Sequence, residues 1–195
     1  MVNKPAGLLS VPTPKNESRT LTSILNQDAQ DRGLKYRFHP CHRLDRETSG
    51  LLIYAKGKST QQKLSSAFRD RLVGKKYIAF VHGKLSQPQG AINSVIEGKN
   101  ALTKYKVIQE KSNYSVVEIF PITGRTNQIR IHFKGIQHPL VGEDKFAYRK
   151  DFALRFKHIC LEAKELKFKH PITGKDLNIV IDLADDLKDF LLKHD

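Results

Sequence analysis

A carboxylate between two arginines is the feature of this sequence best suited to chemistry. Asp45 lies between Arg43 and Arg46, and a Thr-Ser-Gly turn leads from it into an apolar run of strand length at residues 51–55,. A carboxylate beside guanidinium groups keeps its charge, because a nearby opposite charge favours the ionised form. Such an acid suits nucleophilic or electrostatic work better than proton donation. An ordinary surface ion pair is the alternative interpretation of an Asp in a basic protein.

The charge balance indicates an acidic partner. Lysine and arginine number 34 against 20 acidic residues, which gives a net charge of +14 in 195 residues. An excess of this size attracts polyanions, chiefly nucleic acid or an anionic membrane surface. A basic protein without such a partner is the alternative. The length fits one domain with a sizeable core.

The remaining bulk features narrow the class of protein. No apolar run of about 18 residues and no charged-then-apolar leader occurs, so we expect neither a membrane span nor secretion, and an intracellular location. Cys41 and Cys160 are far apart and outside any Cys-x-x-Cys spacing, which favours buried thiols in a reducing compartment. His39, Cys41 and His42 are too close together on a short loop to converge on one ion, so no metal site is expected.

Local patterns predict a chain of helices and strands that would position these groups. Thr20 is a candidate N-cap for a helix over residues 20–30, and Ser59 for a second helix that ends near Leu72. A β-rich run follows at residues 76–83. The later elements expected are strands at 102–109 and 114–121, a helix from Thr126 or Asn127 to Lys134, a closing strand, and a short terminal helix with Leu187, Phe190 and Leu191 on one face.

Four motifs, in order along the chain, resemble those of the RluA family of RNA pseudouridine synthases. The motifs are Asn3-Lys4-Pro5 with Gly7-Leu8, His42-Arg43-Leu44-Asp45 with Thr48-Ser49-Gly50-Leu51, Lys75-Lys76-Tyr77-Ile78-Ala79, and Gly124-Arg125-Thr126-Asn127-Gln128-Ile129-Arg130. The resemblance covers residues 2 to about 182.

This resemblance implies an α+β pseudouridine synthase catalytic domain, with a mixed, mostly antiparallel sheet, flanking helices and a basic RNA-binding cleft. We expect one domain over residues 1–195, without a separate N-terminal RNA-binding domain. The implied reaction isomerises specific uridines of rRNA or tRNA and needs no cofactor and no metal. The partner would be structured RNA rather than a membrane, in the cytoplasm, and a monomer is the default expectation.

The resemblance also implies roles for particular side chains. Asp45 would be the catalytic carboxylate, Arg43 would occupy the gap left by the flipped base, Tyr77 would stack on the uracil, and Arg130 would pair with the carboxylate. RNA contacts are expected from Lys4, Lys75, Lys76 and Arg125. From residue type alone, Tyr77 could equally be strand packing, Arg130 a surface ion pair and Lys4 a solvated loop lysine.

Some positions depart from the family pattern and keep a second interpretation open. Asn127 and Glu162 stand where relatives commonly have histidine, and only Met1 and Val2 precede the first motif, where relatives have a strand. A non-catalytic RNA-binding protein that retains the synthase fold is therefore the alternative. A single well-framed Asp argues against glycoside hydrolysis, which usually uses two carboxylates. Whether Asp45 attacks the sugar or abstracts its proton is open.

Overall fold

The computed structural model describes residues 1–13, 17–147, 152 and 154–194. The elements in chain order are β1 (Val2–Lys4), α1 (Leu21–Asp31), β2 (His39–Pro40), β3 (Ser49–Leu52), β4 (Tyr54–Ala55), α2 (Lys58–Arg69), β5 (Gly74–His82), β6 (Gln89–Ile96), β7 (Lys99–Glu110), β8 (Tyr114–Pro121), α3 (Gln128–Gly135), β9 (Leu161–Lys169), β10 (Asp176–Val180) and α4 (Asp185–Lys193). Strands and flanking helices in this arrangement confirm the expected α+β class.

The chain divides into two compact units, Met1–Gly74 with Glu165–Ile181 and Lys75–Lys164 with Asp182–Asp195. The single domain expected over residues 1–195 stays a prediction. Within the described residues, no helix is both long and apolar enough to cross a bilayer.

In the first unit, short antiparallel strands pack against α2. Strand β1 pairs with β3, β2 with β4, and β10 with the end of β9. The run expected as one strand at residues 51–55 is broken at Ile53, whose N–H is bound by the His42 ring instead of by a neighbouring strand. The buried apolar side chains beneath these strands are Cys41, Leu51, Ile53, Ala55, Leu64, Val73, Leu166 and Phe168.

Helix α1 (Leu21–Asp31) begins after the predicted N-cap, Thr20, and ends one residue beyond the predicted range of 20–30. The Thr20 hydroxyl accepts from the Ser23 amide at 3.1 Å, and the Ser23 hydroxyl accepts from the Thr20 amide at 2.9 Å, so two amide groups at the start of the helix are satisfied reciprocally,. Gly33, at φ 66°, follows the helix in the left-handed conformation that favours glycine,.

Helix α2 differs from its prediction at both ends. It begins at Lys58 after Gly57, without a side-chain cap from Ser59, and ends at Arg69. The chain turns at Arg71, which has a left-handed φ of 61°. Gly74 then opens β5.

The second unit is built on the antiparallel strands β5, β8, β7 and β6, in that order. Successive residues of β5 point to opposite faces of the sheet and so pack into two different cores. On one face, Ala79 and Val81 join the cluster that includes Ile129 and Phe133 of α3. On the opposite face, Ile78 and Phe80 join the cluster that includes Leu187 and Phe190 of α4. The predicted terminal helix is confirmed.

Strand β6 lies in a stretch, before the strand expected at residues 102–109, for which the local patterns predicted no strand. Residues of β6 pair with β7 from Gln89 opposite Lys106 to Ile96 opposite Lys99. The turn uses Glu97 and Gly98 at φ 50° and 71°, the positive values that a two-residue hairpin favours. Glu-Gly is a weaker turn signal than Asn-Gly or Asp-Gly, which is why the hairpin was missed.

Candidate active site

The Asp45 loop lies in the first unit, directly before β3. Asp45 is half-buried between the exposed Arg43 and Arg46, and its carbonyl accepts from the Thr48 amide at 3.2 Å. The Arg46 side chain forms an ion pair with Glu17. Asp45 is therefore carried on a tight turn between two arginines in the sequence, and the guanidinium of the second pairs with Glu17.

The side chain of Lys4 is hydrogen-bonded to the backbone of this loop. Its side chain is fully buried, and its ammonium donates to the carbonyl oxygens of Pro5, Leu8 and Arg46 at 2.8, 2.7 and 3.0 Å. The ammonium donates one hydrogen bond to each of three backbone carbonyls, one of them 42 residues away in the Asp45 loop,. The expected phosphate contact of Lys4 stays a prediction. Burial lowers the pKa of Lys4 to about 8, against the opposing effects of Glu47 and Asp45.

The buried ammonium predicts a specific pH dependence of stability. Between about pH 8 and 10.5, Lys4 is increasingly neutral in the folded protein but still protonated in the unfolded chain. The unfolded state then binds more protons, so this group's contribution to the free energy of unfolding rises with pH across that window. We expect the stability of the native protein relative to Lys4→Met to increase from pH 8 to 10.5, measured by urea unfolding. A flat difference would contradict the buried cation.

The His42 ring is structural. Its Nε2 accepts from the Ile53 amide at 3.1 Å, and the ring stacks on Phe68 at 4.1 Å between centroids. The Cys41 amide donates to the Ile53 carbonyl at 3.0 Å, so Ile53 is held on both sides by the chain that leads to Asp45. These contacts fix the start of the motif to the junction of β3 and β4.

Tyr77 lies in the second unit, in the middle of β5. It is half-buried and pairs with Ile119 of β8, which in turn pairs with Tyr105 of β7. Both tyrosines pack against the core cluster that α3 covers. Tyr77 therefore lies on the same sheet face as α3, which carries Arg130.

Arg130 makes a buried ion pair that the sequence analysis did not anticipate. Its Nε and Nη2 donate to the two carboxylate oxygens of Glu143, each at 2.7 Å. Its Nη1 donates to Asn127 Oδ1 at 3.2 Å, and the guanidinium carbon lies 5.0 Å from the centre of the Phe146 ring. The side chains of Arg130 and Glu143 are 6% and 1% exposed, so the surface ion pair considered for Arg130 is excluded. Its expected pairing with Asp45 stays a prediction.

Glu143, the buried partner of Arg130, is a residue that the sequence analysis did not single out. Burial alone would raise the pKa of Glu143, but hydrogen bonds from Arg130 and from the amides of Lys145 and Phe146 lower it below its ordinary value. The available signal was an acid directly after the apolar pair Leu140-Val141 and a glycine. That pattern does not identify the partner, which lies 13 residues earlier.

Asn127 occupies the position at which the family usually has a histidine. It precedes α3 with φ 53°, a left-handed conformation that asparagine tolerates better than most residues. Its side chain does not cap the helix but accepts from Arg130. Asn127 therefore supplies an acceptor for the guanidinium without any titratable group.

The remaining predicted RNA contacts are partly engaged within the second unit. Lys76 forms an ion pair with Glu118 at 3.1 Å. Arg125 donates from Nε and Nη2 to the Asn100 carbonyl at 3.2 Å, which ties the segment before α3 to the β6–β7 hairpin. Lys75 is half-buried. RNA contacts by these three side chains stay predictions.

Glu162, the second departure from the family pattern, serves the terminal helix. It is fully buried in β9, and its Oε2 accepts from the Ala184 amide at the start of α4 at 2.9 Å. Burial raises its pKa. Its position indicates a structural role.

Comparisons with known proteins agree with this fold and motif set. A family model described as RNA pseudouridylate synthase matches residues 1–135. The dual-specificity RNA pseudouridine synthase RluA of Haemophilus influenzae is 35% identical over 194 residues, covering 91% of this chain and 85% of the relative. The protein of the same name from Vibrio cholerae is 34% identical and covers 98% and 83%.

A solved structure shows the same fold. Human RNA pseudouridylate synthase domain-containing 4 superposes with a TM-score of 0.80 at 24% identity and covers 98% of this chain and 87% of its own. The chain belongs to the RluA family of RNA pseudouridine synthases, isomerases that act on RNA.

Proposed function

We propose that this enzyme converts specific uridines of rRNA or tRNA to pseudouridine, with Asp45 as the catalytic carboxylate. The observation that carries the assignment is the framed Asp45 turn, anchored through its backbone to the Lys4 ammonium. The relatives named dual-specificity synthases support this substrate class. A net charge of +14 suits a polyanionic substrate,, and the cytoplasm is the compartment in which we expect the enzyme to meet it.

The reaction breaks the bond between ribose C1′ and uracil N1, rotates the base, and forms a bond between C1′ and C5. The proton on C5 is lost to solvent and N1 gains one, so the atoms balance without a cofactor. An ionised Asp45 can act either as a nucleophile at the sugar or as a base toward its proton. The target base must first leave its stack, and the exposed Arg43, two residues before Asp45, is our candidate to fill the gap.

Tyr77 is our candidate to stack on the flipped uracil. Base–aromatic stacking contributes roughly 1–3 kcal/mol per base, so Tyr77→Ala is expected to lower kcat/KM by roughly 5- to 150-fold. Tyr77→Phe keeps the ring and is expected to stay within about three-fold of the native enzyme. Both are measured as tritium release from RNA labelled at uracil C5. Equal losses in the two variants would assign the effect to the hydroxyl and contradict stacking.

The function itself is tested by the same assay on unmodified rRNA and tRNA. Release of tritium by the native protein, with pseudouridine located by mapping the product, is the expected result. The alternative, a binder that keeps the fold without turnover, predicts salt-dependent RNA affinity and no release. Asp45→Ala distinguishes the two, because it abolishes release by an enzyme and leaves a binder's affinity unchanged.

A further inference from the structure

We infer that Ser10 is a positioning residue for the catalytic carboxylate, an inference that rests on the proposed role of Asp45. The Ser10 hydroxyl donates to the Leu44 carbonyl at 2.8 Å and accepts from the Leu44 amide at 3.1 Å. One side chain thus satisfies both backbone polar groups of the residue directly before Asp45. Ser10 and Leu44 are 34 positions apart and only 2% and 5% exposed.

The backbone of Ser10 is itself held in place by hydrogen bonds to its carbonyl oxygen. Its carbonyl accepts from the Thr22 hydroxyl at 2.7 Å, from the Thr22 amide at 3.2 Å and from the Tyr54 hydroxyl at 3.2 Å. Thr22 belongs to the first turn of α1 and Tyr54 to β4. A continuous set of hydrogen bonds therefore runs from these two elements through Ser10 to the backbone that carries Asp45.

The position of the Leu44 backbone controls the position of the Asp45 carboxylate, because the two are adjacent in the chain. The Asp45 side chain leaves the backbone one residue after Leu44, so a shift of the Leu44 peptide moves the carboxylate directly. A misplacement of about 1 Å in an active site can cost roughly 100-fold in rate. Ser10 would not touch the RNA, because it is buried beneath the loop, and it acts through the placement of Asp45.

The predicted signature is a loss of the chemical step with little loss of binding. Ser10→Ala is expected to lower the single-turnover rate of tritium release by roughly 10- to 100-fold. The dissociation constant for the same RNA is expected to stay within about three-fold, because no basic side chain is changed. Removal of the hydroxyl leaves a buried amide and a buried carbonyl unpaired, so the melting temperature should also fall.

A matched control separates positioning from general destabilisation. Ser115→Ala, in the second unit, removes another fully buried hydroxyl, which donates to the Gly83 carbonyl at 2.8 Å. It should lower the melting temperature but leave the single-turnover rate within about two-fold, since its hydrogen-bond partner, Gly83, also belongs to the second unit,. Rates are compared at a temperature at which both variants are fully folded.

Each result of these measurements supports or overturns either the positioning role of Ser10 or the proposed function. A Ser10→Ala rate equal to that of Ser115→Ala, or a change confined to RNA affinity, overturns the positioning role and leaves the proposed function intact. No release by the native enzyme overturns both. If Ser10→Ala does not fold, the double variant Thr22→Val with Tyr54→Phe decides, because it removes both hydroxyls that donate to the Ser10 carbonyl. A drop of about three-fold or more in the single-turnover rate supports the role, and an unchanged rate overturns it.

Discussion

Replacing Asp45 with asparagine is expected to lower the rate of pseudouridine formation by at least about 10³-fold, the scale of loss seen when a carboxylate of a catalytic unit is removed. Asparagine keeps the size of the side chain but cannot attack as an anion or accept a proton at neutral pH. The turn itself should survive, because it is held through the backbone of Leu44, Asp45 and Arg46. The measurement is tritium release under single-turnover conditions.

Glu47→Gln is the matched control for this loss. Glu47 is a carboxylate two residues further along the same turn and is likewise half-buried. Its neutralisation changes the local charge by the same amount, yet we expect activity within about three-fold of the native value, because a group outside the chemistry contributes no transition-state stabilisation. RNA affinity should be unchanged or slightly tighter in both variants. An Asp45→Asn enzyme with more than about a tenth of native activity would exclude Asp45 as the catalytic group.

Arg130→Ala is expected to be the most damaging substitution for the fold. It leaves the Glu143 carboxylate, 1% exposed, without its bidentate partner, and breaking a buried ion pair from one side costs about 3–5 kcal/mol. Asn127 also loses its guanidinium contact. Unfolding in urea measures the loss. A cost below about 1 kcal/mol, the level of an exposed ion pair, would contradict the buried geometry.

A double variant separates the structural part of this effect from any catalytic part. Arg130→Met with Glu143→Gln removes both charges and keeps a side-chain oxygen for the amides of Lys145 and Phe146. Most of the stability should return, since paired removal of buried charges is often neutral. If Arg130 also serves catalysis, activity stays low in the restored protein. Full activity in the double variant would restrict Arg130 to a structural role.

The free energy of unfolding at acidic pH gives an independent test of the Arg130–Glu143 ion pair. Because the folded pKa of Glu143 lies below its ordinary value of 4.5, the pair contributes its stability above that value. The contribution is then lost as the pH falls through the folded pKa. The stability of the native protein relative to the double variant should therefore be constant at neutral pH and fall below about pH 4.5.

Local patterns in the sequence determined those features whose physical causes lie within a few residues. The Thr20 cap, the amphipathic α4 and the β7–β8 hairpin each depend on neighbours close along the chain, and each was predicted correctly. Asp45 was singled out for the same reason, because its framing arginines are adjacent and its turn precedes an apolar run. The family motifs extended this reasoning to Tyr77 and Arg130.

Tertiary structure decided what depends on partners far apart in sequence. Lys4 reads locally as an exposed loop lysine, but the Arg46 carbonyl, 42 residues away, gives its ammonium a buried acceptor. Glu143 gains its role only because α3 brings Arg130 to it.

The role inferred for Ser10 likewise could not be predicted from the residues near it in the sequence. Serine is among the least informative residues in a loop, and its importance arises from a backbone group 34 residues away that no sequence pattern marks. The sequence by itself thus determined the chemical groups and the local elements that carry them. The burial and long-range hydrogen bonding that hold those groups in place required the folded chain, because a buried polar group must find its partner wherever the fold provides one.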